Sequence, residues 1–137
     1  MRTFYIFNIK KHFKILTTHN PYRLYKTFEE IYKSNKFNID KNMLIFNQLK
    51  QDMNKDVLNN DTYDYFKNNN NYTKYKNIHE INDYLTSENT KLIINKTYIL
   101  LQTNIENPSF LKYLKNNKYN LFACDFENKD YFWICKI

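Results

Sequence analysis

Hydrophobic positions along this chain follow two periods. From Arg2 to Ile9 almost every residue is apolar, aromatic or β-branched, which predicts a strand buried on both faces inside a sheet. Lys10 to His19 breaks the pattern and reads as a short segment leaving that strand. Asn20-Pro21 then offers an N-cap and a first helical position, and Leu24, Phe28 and Ile31 recur at helical spacing, widened by Tyr25 and Tyr32. A second helix is expected from about Lys41 to Met53, with Asp40 as N-cap. Phe46, Leu49 and Met53 form its inward stripe, with Leu44 and Ile45 at the edges. A third, shorter helix is expected near Asn60 to Lys67 with Tyr63 and Phe66 inward, and Asn68–Asn71 follows as a loop.

From Tyr75 onward the period shortens. Ile78 to Leu85, Leu92 to Asn95 and Thr97 to Thr103 read as strands, with turns at Ser87-Glu88-Asn89-Thr90 and Asn95-Lys96. Asn107-Pro108-Ser109 opens a short helix carrying Phe110, Leu111 and Leu114. Tyr119 to Ile137 closes the chain as an apolar hairpin whose polar tip is Glu127-Asn128-Lys129-Asp130. The predicted order is β-α-α-α-β-β-β-α-β-β. This is an α+β fold in a single domain over 1–137, with one mainly antiparallel sheet of about five to six strands and about four helices. No internal repeat is visible.

Composition removes whole classes of chemistry. The 137 residues include no glycine. A P-loop, a dinucleotide-binding fingerprint and a GxSxG elbow are therefore excluded, since each needs a residue without Cβ where backbone meets ligand or turns sharply. Left-handed backbone positions are expected to fall to Asn or Asp, and Asn occurs 23 times. Aromatic residues make up 18% of the chain, so core material is ample despite a mean hydropathy of −0.78. Asn, Lys, Ile, Tyr and Phe all have AT-rich codons, which accounts for much of the bias and weakens a functional reading of the charge.

The net charge of +7 is uneven. Residues 1–41 carry nine Lys/Arg against three Asp/Glu, 42–90 five against seven, and 91–137 seven against four. Lys supplies 19 of the 21 positive side chains, whereas phosphate and base-edge recognition favours the Arg fork. The excess fits a solvated surface or a face for an acidic protein partner better than a nucleic-acid site. Cys124 and Cys135 lie on the two arms of the closing hairpin. With Asn128 and Lys129 as turn residues, Cys124 would face Trp133 and Phe122 would face Cys135, leaving the cysteines as diagonal neighbours and reduced thiols. No metal or other cofactor is expected, because there is neither a CxxC spacing nor a nearby His. The opening segment is too short and too polar for a signal-peptide core, so a cytoplasmic protein is expected.

Candidate catalytic groups are sparse. His12 and His19 sit in the polar segment after the first strand and are expected at the surface. His79 and Glu80 are adjacent in a strand and must point to opposite faces. Glu29-Glu30 are expected on the outer side of a helix, and Asp125 and Asp130 flank a turn. None forms a nucleophile–base pair, a carboxylate pair or a metal cluster, so no catalytic residues are assigned.

Three stretches carry a family resemblance: Tyr5–Phe13 (YIFNIKKHF), Asn20–Tyr32 (NPYRLYKTFEEIY) and Leu121–Trp133 (LFACDFENKDYFW). They resemble the opening strand, the following helix and the closing hairpin of the SirA family. The resemblance implies a non-enzymatic inhibitor of chromosome replication initiation, linked to sporulation. Such a protein would act in the cytoplasm as a monomer that binds the N-terminal domain of the initiator DnaA, without membrane or direct nucleic-acid contact. It also implies a partner-binding face of Phe13, Leu16 and Thr17 in the segment leaving the first strand, with Ile45 and Gln48 on a later helix. Phe13 matches the family's partner-contacting aromatic, while Thr17 and Gln48 stand where the family pattern has aromatics. The residues themselves leave two readings of Phe13. It is an apolar anchor ringed by Lys10, Lys11, His12 and Lys14, or it tucks under the first helix together with Ile15. The alternative function is a small basic nucleic-acid-binding regulator, whose binding would fall steeply with salt. A third is a small enzyme with a polar pocket of perturbed carboxylates or histidines.

Overall fold

A computed structural model describes residues 1–33 and 39–134, with backbone alone at 39–43. The elements in chain order are β1 (Arg2–Asn8), α1 (Lys11–Thr17), α2 (Pro21–Lys33), α3 (Ile39–Leu49), α4 (Lys55–Phe66), β2 (Tyr72–Tyr75), β3 (Ile78–Asp83), β4 (Glu88–Ile94), β5 (Ile99–Thr103), α5 (Ser109–Leu114), β6 (Leu121–Asp125) and β7 (Asp130–Ile134). The seven strands form one sheet in the order β2-β3-β4-β5-β1-β6-β7, and each neighbouring pair is antiparallel. The α+β class and the interior position of the first strand agree with the sequence pattern.

Alternation along β1 separates two cores. Phe4 and Ile6 point to the face covered by α4 and α5, where Leu58, Phe66, Phe110 and Leu114 meet Leu92, Ile94, Ile99 and Leu101. Phe7 points to the opposite face, with Ile9, Leu24, Tyr25, Phe28, Phe122 and Phe126. Phe7 stacks on Phe28 of α2 with ring centres 4.3 Å apart, and Phe46 of α3 stands edge-on to both rings.

Several expectations are corrected. The segment after β1 is helical (α1). Its two most apolar-looking positions, Ile15 and Leu16, face solvent, so no amphipathic stripe announces it. β2 was not expected either: only Tyr72 of its four residues is buried, as befits an edge strand. Glu88 and Thr90 belong to β4 rather than to a turn. The helix expected from about Lys41 to Met53 ends at Leu49, and Met53 is buried beyond it. Asp40 lies inside α3 rather than before it. α4 starts at Lys55, capped by Asn54, whose side chain accepts from Val57 N–H, and Tyr63 is exposed rather than inward.

The closing hairpin has its expected arms but another register. Asp125 pairs with Asp130 across residues 126–129, so Cys124 faces Tyr131 and Phe122 faces Trp133. Asp125 sets that longer loop by accepting from Asn128 N–H at 3.1 Å and Asn128 Nδ2 at 2.7 Å. Cys124 is a buried free thiol pushed up by desolvation, and Cys135 lies outside the described residues. The left-handed positions among the described residues are Lys76 (φ 56°), Ser87 (φ 59°) and Lys129 (φ 54°), not Asn or Asp.

Candidate partner-binding surface

Where β1 ends, the chain is held from three sides. Ile9 N–H donates to the Asn120 carbonyl at 2.9 Å. Gln51 N–H donates to the Asn8 carbonyl at 2.8 Å, and Lys10 N–H to the Leu49 carbonyl at 2.9 Å, so the exit of α3 bridges to the exit of β1. α1 starts directly from this knot and has no side-chain N-cap. Lys14 reaches back to Asn120 Oδ1 at 3.2 Å and lies 5.7 Å from the Trp133 ring centre. A seven-residue helix with no buried residue is too short to persist alone, and these tethers fix its direction.

α1 and α2 enclose a groove of about 390 Å³, lined by Phe13, Leu16, Thr17, Asn20, Arg23, Leu24, Thr27 and Leu49. Phe13 is half-buried and packs on the core beneath α2, so it serves as groove floor. Leu16 is 64% exposed and Ile15 66%, which rules out the reading that Ile15 tucks under the first helix. Thr17 donates its hydroxyl to the Phe13 carbonyl at 2.6 Å, so that donor is already used within the helix. The groove therefore brings together Phe13, Leu16 and Thr17. Ile45 is half-buried and Gln48 exposed; on α3 Ile45 lies one turn before Leu49 and Gln48 beside Ile45, but neither lines the groove. Arg23, Leu24, Thr27 and Asn20 were not foreseen. Their part depends on α2 crossing α1, although Leu24 was legible as a member of the α2 stripe.

Residues 10–28 contain five Lys/Arg and no Asp/Glu, but Lys26 pairs with Glu29 and only Arg23 of the five lines the groove. Lys11 and Arg23 are exposed and make no ion pair among the described residues. His12 and His19 are at the surface, as expected.

Other titratable groups prove structural. Glu29 is buried, against the expectation of a solvated helix face. It accepts from Lys26 at 2.9 Å and from the Tyr25 hydroxyl at 2.7 Å, and these bonds hold its carboxyl down at about 2. Asp125 is buried. Desolvation alone would raise its carboxyl, but hydrogen bonds from Asn128 and from Arg2 Nε (2.9 Å) outweigh that and keep it below the usual range. His79 is buried, and desolvation lowers it to about 4; Glu80 points to the other face. No group of three or more metal-ligating side chains occurs among the described residues. No helix there is long and apolar enough to cross a membrane.

Comparison with curated proteins gives no match. A family model described as "Sporulation inhibitor of replication protein SirA" matches residues 2–137, essentially end to end. The three stretches that carry the resemblance in the sequence are the strand, helix and hairpin that build and buttress the groove, and the chain belongs to the SirA family.

Proposed function

We propose that this chain restrains replication initiation without catalysis, by binding the N-terminal domain of DnaA through the α1–α2 groove. The carrying observation is Leu16. A leucine 64% exposed on a helix tethered at its base, beside an apolar groove that Arg23 also lines, has no role in the fold and the character of an interface anchor. Arg23 would meet an acidic group of the partner and help set the register of docking. Ile45 and Gln48 would extend the contact along α3. With Thr17 and Gln48 in place of aromatics, Leu16 and Ile15 carry a larger share of the apolar contact. The acting form would be the cytoplasmic monomer. Most of the described rings are packed in its two cores, out of reach of the base stacking a single-strand nucleic-acid binder uses.

Calorimetric titration against the N-terminal domain of DnaA from the same organism tests this. A saturable one-to-one heat, removed by Leu16→Glu with an unchanged circular dichroism spectrum, is the expected result. Full binding by Leu16→Glu moves the interface off this groove, and no heat from two folded proteins at tens of micromolar sinks the reading.

A further inference from the structure

The sheet has two free edges, β2 and β7, and they are built differently. β2 has four residues, three of them exposed and one of those Lys74, and the left-handed Lys76 follows it directly. A short strand with an exposed lysine is a poor template for another chain. β7 carries Tyr131, Phe132, Trp133 and Ile134 in succession. It pairs with β6 without a bulge and holds no Lys or Pro. α2 stacks Tyr25 on Tyr131 with ring centres 4.8 Å apart, and Phe132 meets Phe4 on the opposite face at 5.6 Å. A strand fixed on both faces is already ordered, so pairing its edge costs little entropy.

The ladder fixes which peptide groups of β7 point outward. Ile9 N–H donates to the Asn120 carbonyl, so Asn120, and with it Phe122 and Cys124, turn their peptide groups toward β1. Leu121, Ala123 and Asp125 turn theirs toward β7, where they meet Ile134, Phe132 and Asp130. Tyr131 and Trp133 therefore direct both N–H and C=O away from the sheet. Tyr131 N–H agrees with this: it donates to Asp130 Oδ1 at 2.9 Å, a local bond outside the ladder. Among the described residues nothing accepts from Trp133 N–H on the outer side, and nothing donates to either outward carbonyl.

We propose that β7 pairs antiparallel with β7 of a second copy about a two-fold axis at Phe132, joining the two seven-stranded sheets into one. The match of the strand to its own antiparallel copy selects this occupant. Tyr131 of each copy meets Trp133 of the other in a hydrogen-bonded pair, and Phe132 meets Phe132 of the second copy between them. Aromatic cross-strand pairs are among the stabilising pairs of a sheet. Asp130 comes opposite Ile134, and Arg2 already neutralises it, so no like charges meet across the axis. Lys14, over the Trp133 ring, is bonded back to Asn120 of its own copy. Pairing of β7 with β2 of a second copy would instead set an apolar strand against Lys74 and leave an edge open at each end. The two-fold contact is isologous and closes at two copies. A five-residue ribbon lies below the roughly 800 Å² per partner of a standard interface, so the pair is weak and forms as concentration rises, from the single copy that prevails in dilute solution.

Light scattering and amide hydrogen exchange by NMR, at about 20 µM and about 500 µM, test this. The molar mass is expected to rise toward twice that of the chain and not past it. The Tyr131 and Trp133 amides are expected to exchange at least about threefold more slowly at the higher concentration, while those of β2 do not change. Residues opposite each other in a non-hydrogen-bonded pair have Cα atoms about 4.5 Å apart, within reach of a disulfide. Phe132→Cys in a Cys135→Ser background should therefore oxidise to a covalent dimer, and Lys74→Cys in the same background should not. A chain that stays single at the higher concentration overturns the proposal. So does association that leaves the Trp133 amide unprotected, that protects β2, or that yields no Phe132→Cys crosslink.

Discussion

The Tyr72 hydroxyl lies 2.7 Å from Nδ1 of His79, and the opposite ring nitrogen, Nε2, lies 2.7 Å from Asn59 Oδ1. Asn59 Nδ2 donates to the Lys55 carbonyl, which leaves its Oδ1 as acceptor. Nε2 of His79 must then carry the proton, and Nδ1 accepts from Tyr72. One neutral imidazole thus ties α4, β2 and β3 together. Its ordinary value near 6.5 is lowered to about 4 by desolvation. Between those values the unfolded chain binds the proton and the native chain does not, so the His79 contribution to stability falls as pH drops from 6.5 to 4 and levels off below, where the lowered carboxyl of Glu29 takes over the loss. The loss amounts to as much as roughly 3 kcal/mol. Urea denaturation at a series of pH values should show this slope, and His79→Leu should remove most of it; an equal slope in the variant refutes the assignment.

Phe13 and Leu16 should separate by mutation. Phe13→Ala removes a half-buried ring from the core beneath α2 and is expected to cost about 2 kcal/mol of stability along with binding. Leu16→Glu is expected within about 0.5 kcal/mol of wild type, because the side chain faces solvent. Parallel denaturant curves check both values.

Arg2 bridges two carboxylates of unequal burial: Asp125, buried, at 2.9 Å and Asp130, half-exposed, at 2.7 Å. Arg2→Ala leaves the buried Asp125 with only Asn128, and a loss on the order of 2–3 kcal/mol is expected. Asp130→Ala breaks the exposed pair and should cost under about 1 kcal/mol. Similar losses for the two variants would show that burial does not set the balance.

The left-handed lysines offer a gain. Lys76 and Asn77 form the two-residue link between β2 and β3, with Lys76 at φ 56°. Lys76→Gly relieves the Cβ clash and is expected to stabilise by about 0.5–1 kcal/mol, net of the added freedom of the unfolded chain. Thermal denaturation reads this directly as a raised midpoint.

Legibility in the sequence followed burial. β1, α5 and the closing hairpin could be read because their side chains point into a core and so keep a period. α1 could not, since its apolar residues face outward and leave only a polar-looking stretch. β2 was lost for the same reason at the sheet edge. Glu29 was misplaced because a carboxylate on a helix is ordinarily solvated, although Tyr25, Lys26 and Lys33 at i−4, i−3 and i+4 were visible as its partners. In the groove, Phe13, Leu16 and Thr17 came from the family resemblance, while the local pattern left Phe13 open between an exposed anchor and a residue under the first helix. Arg23 and Thr27 required knowing how α2 crosses α1, which no local pattern contains.

The central place of β1 also sets an order of assembly. β2 to β5 form an uninterrupted meander whose pairings are local, and that meander can form while synthesis continues. β1 must wait: its partners are β5, which begins at Ile99, and β6, which begins at Leu121. Asn120, which anchors both Ile9 and Lys14, leaves the ribosome equally late. The tether that sets the direction of α1, and with it the groove, therefore comes into being only after β6 has been made.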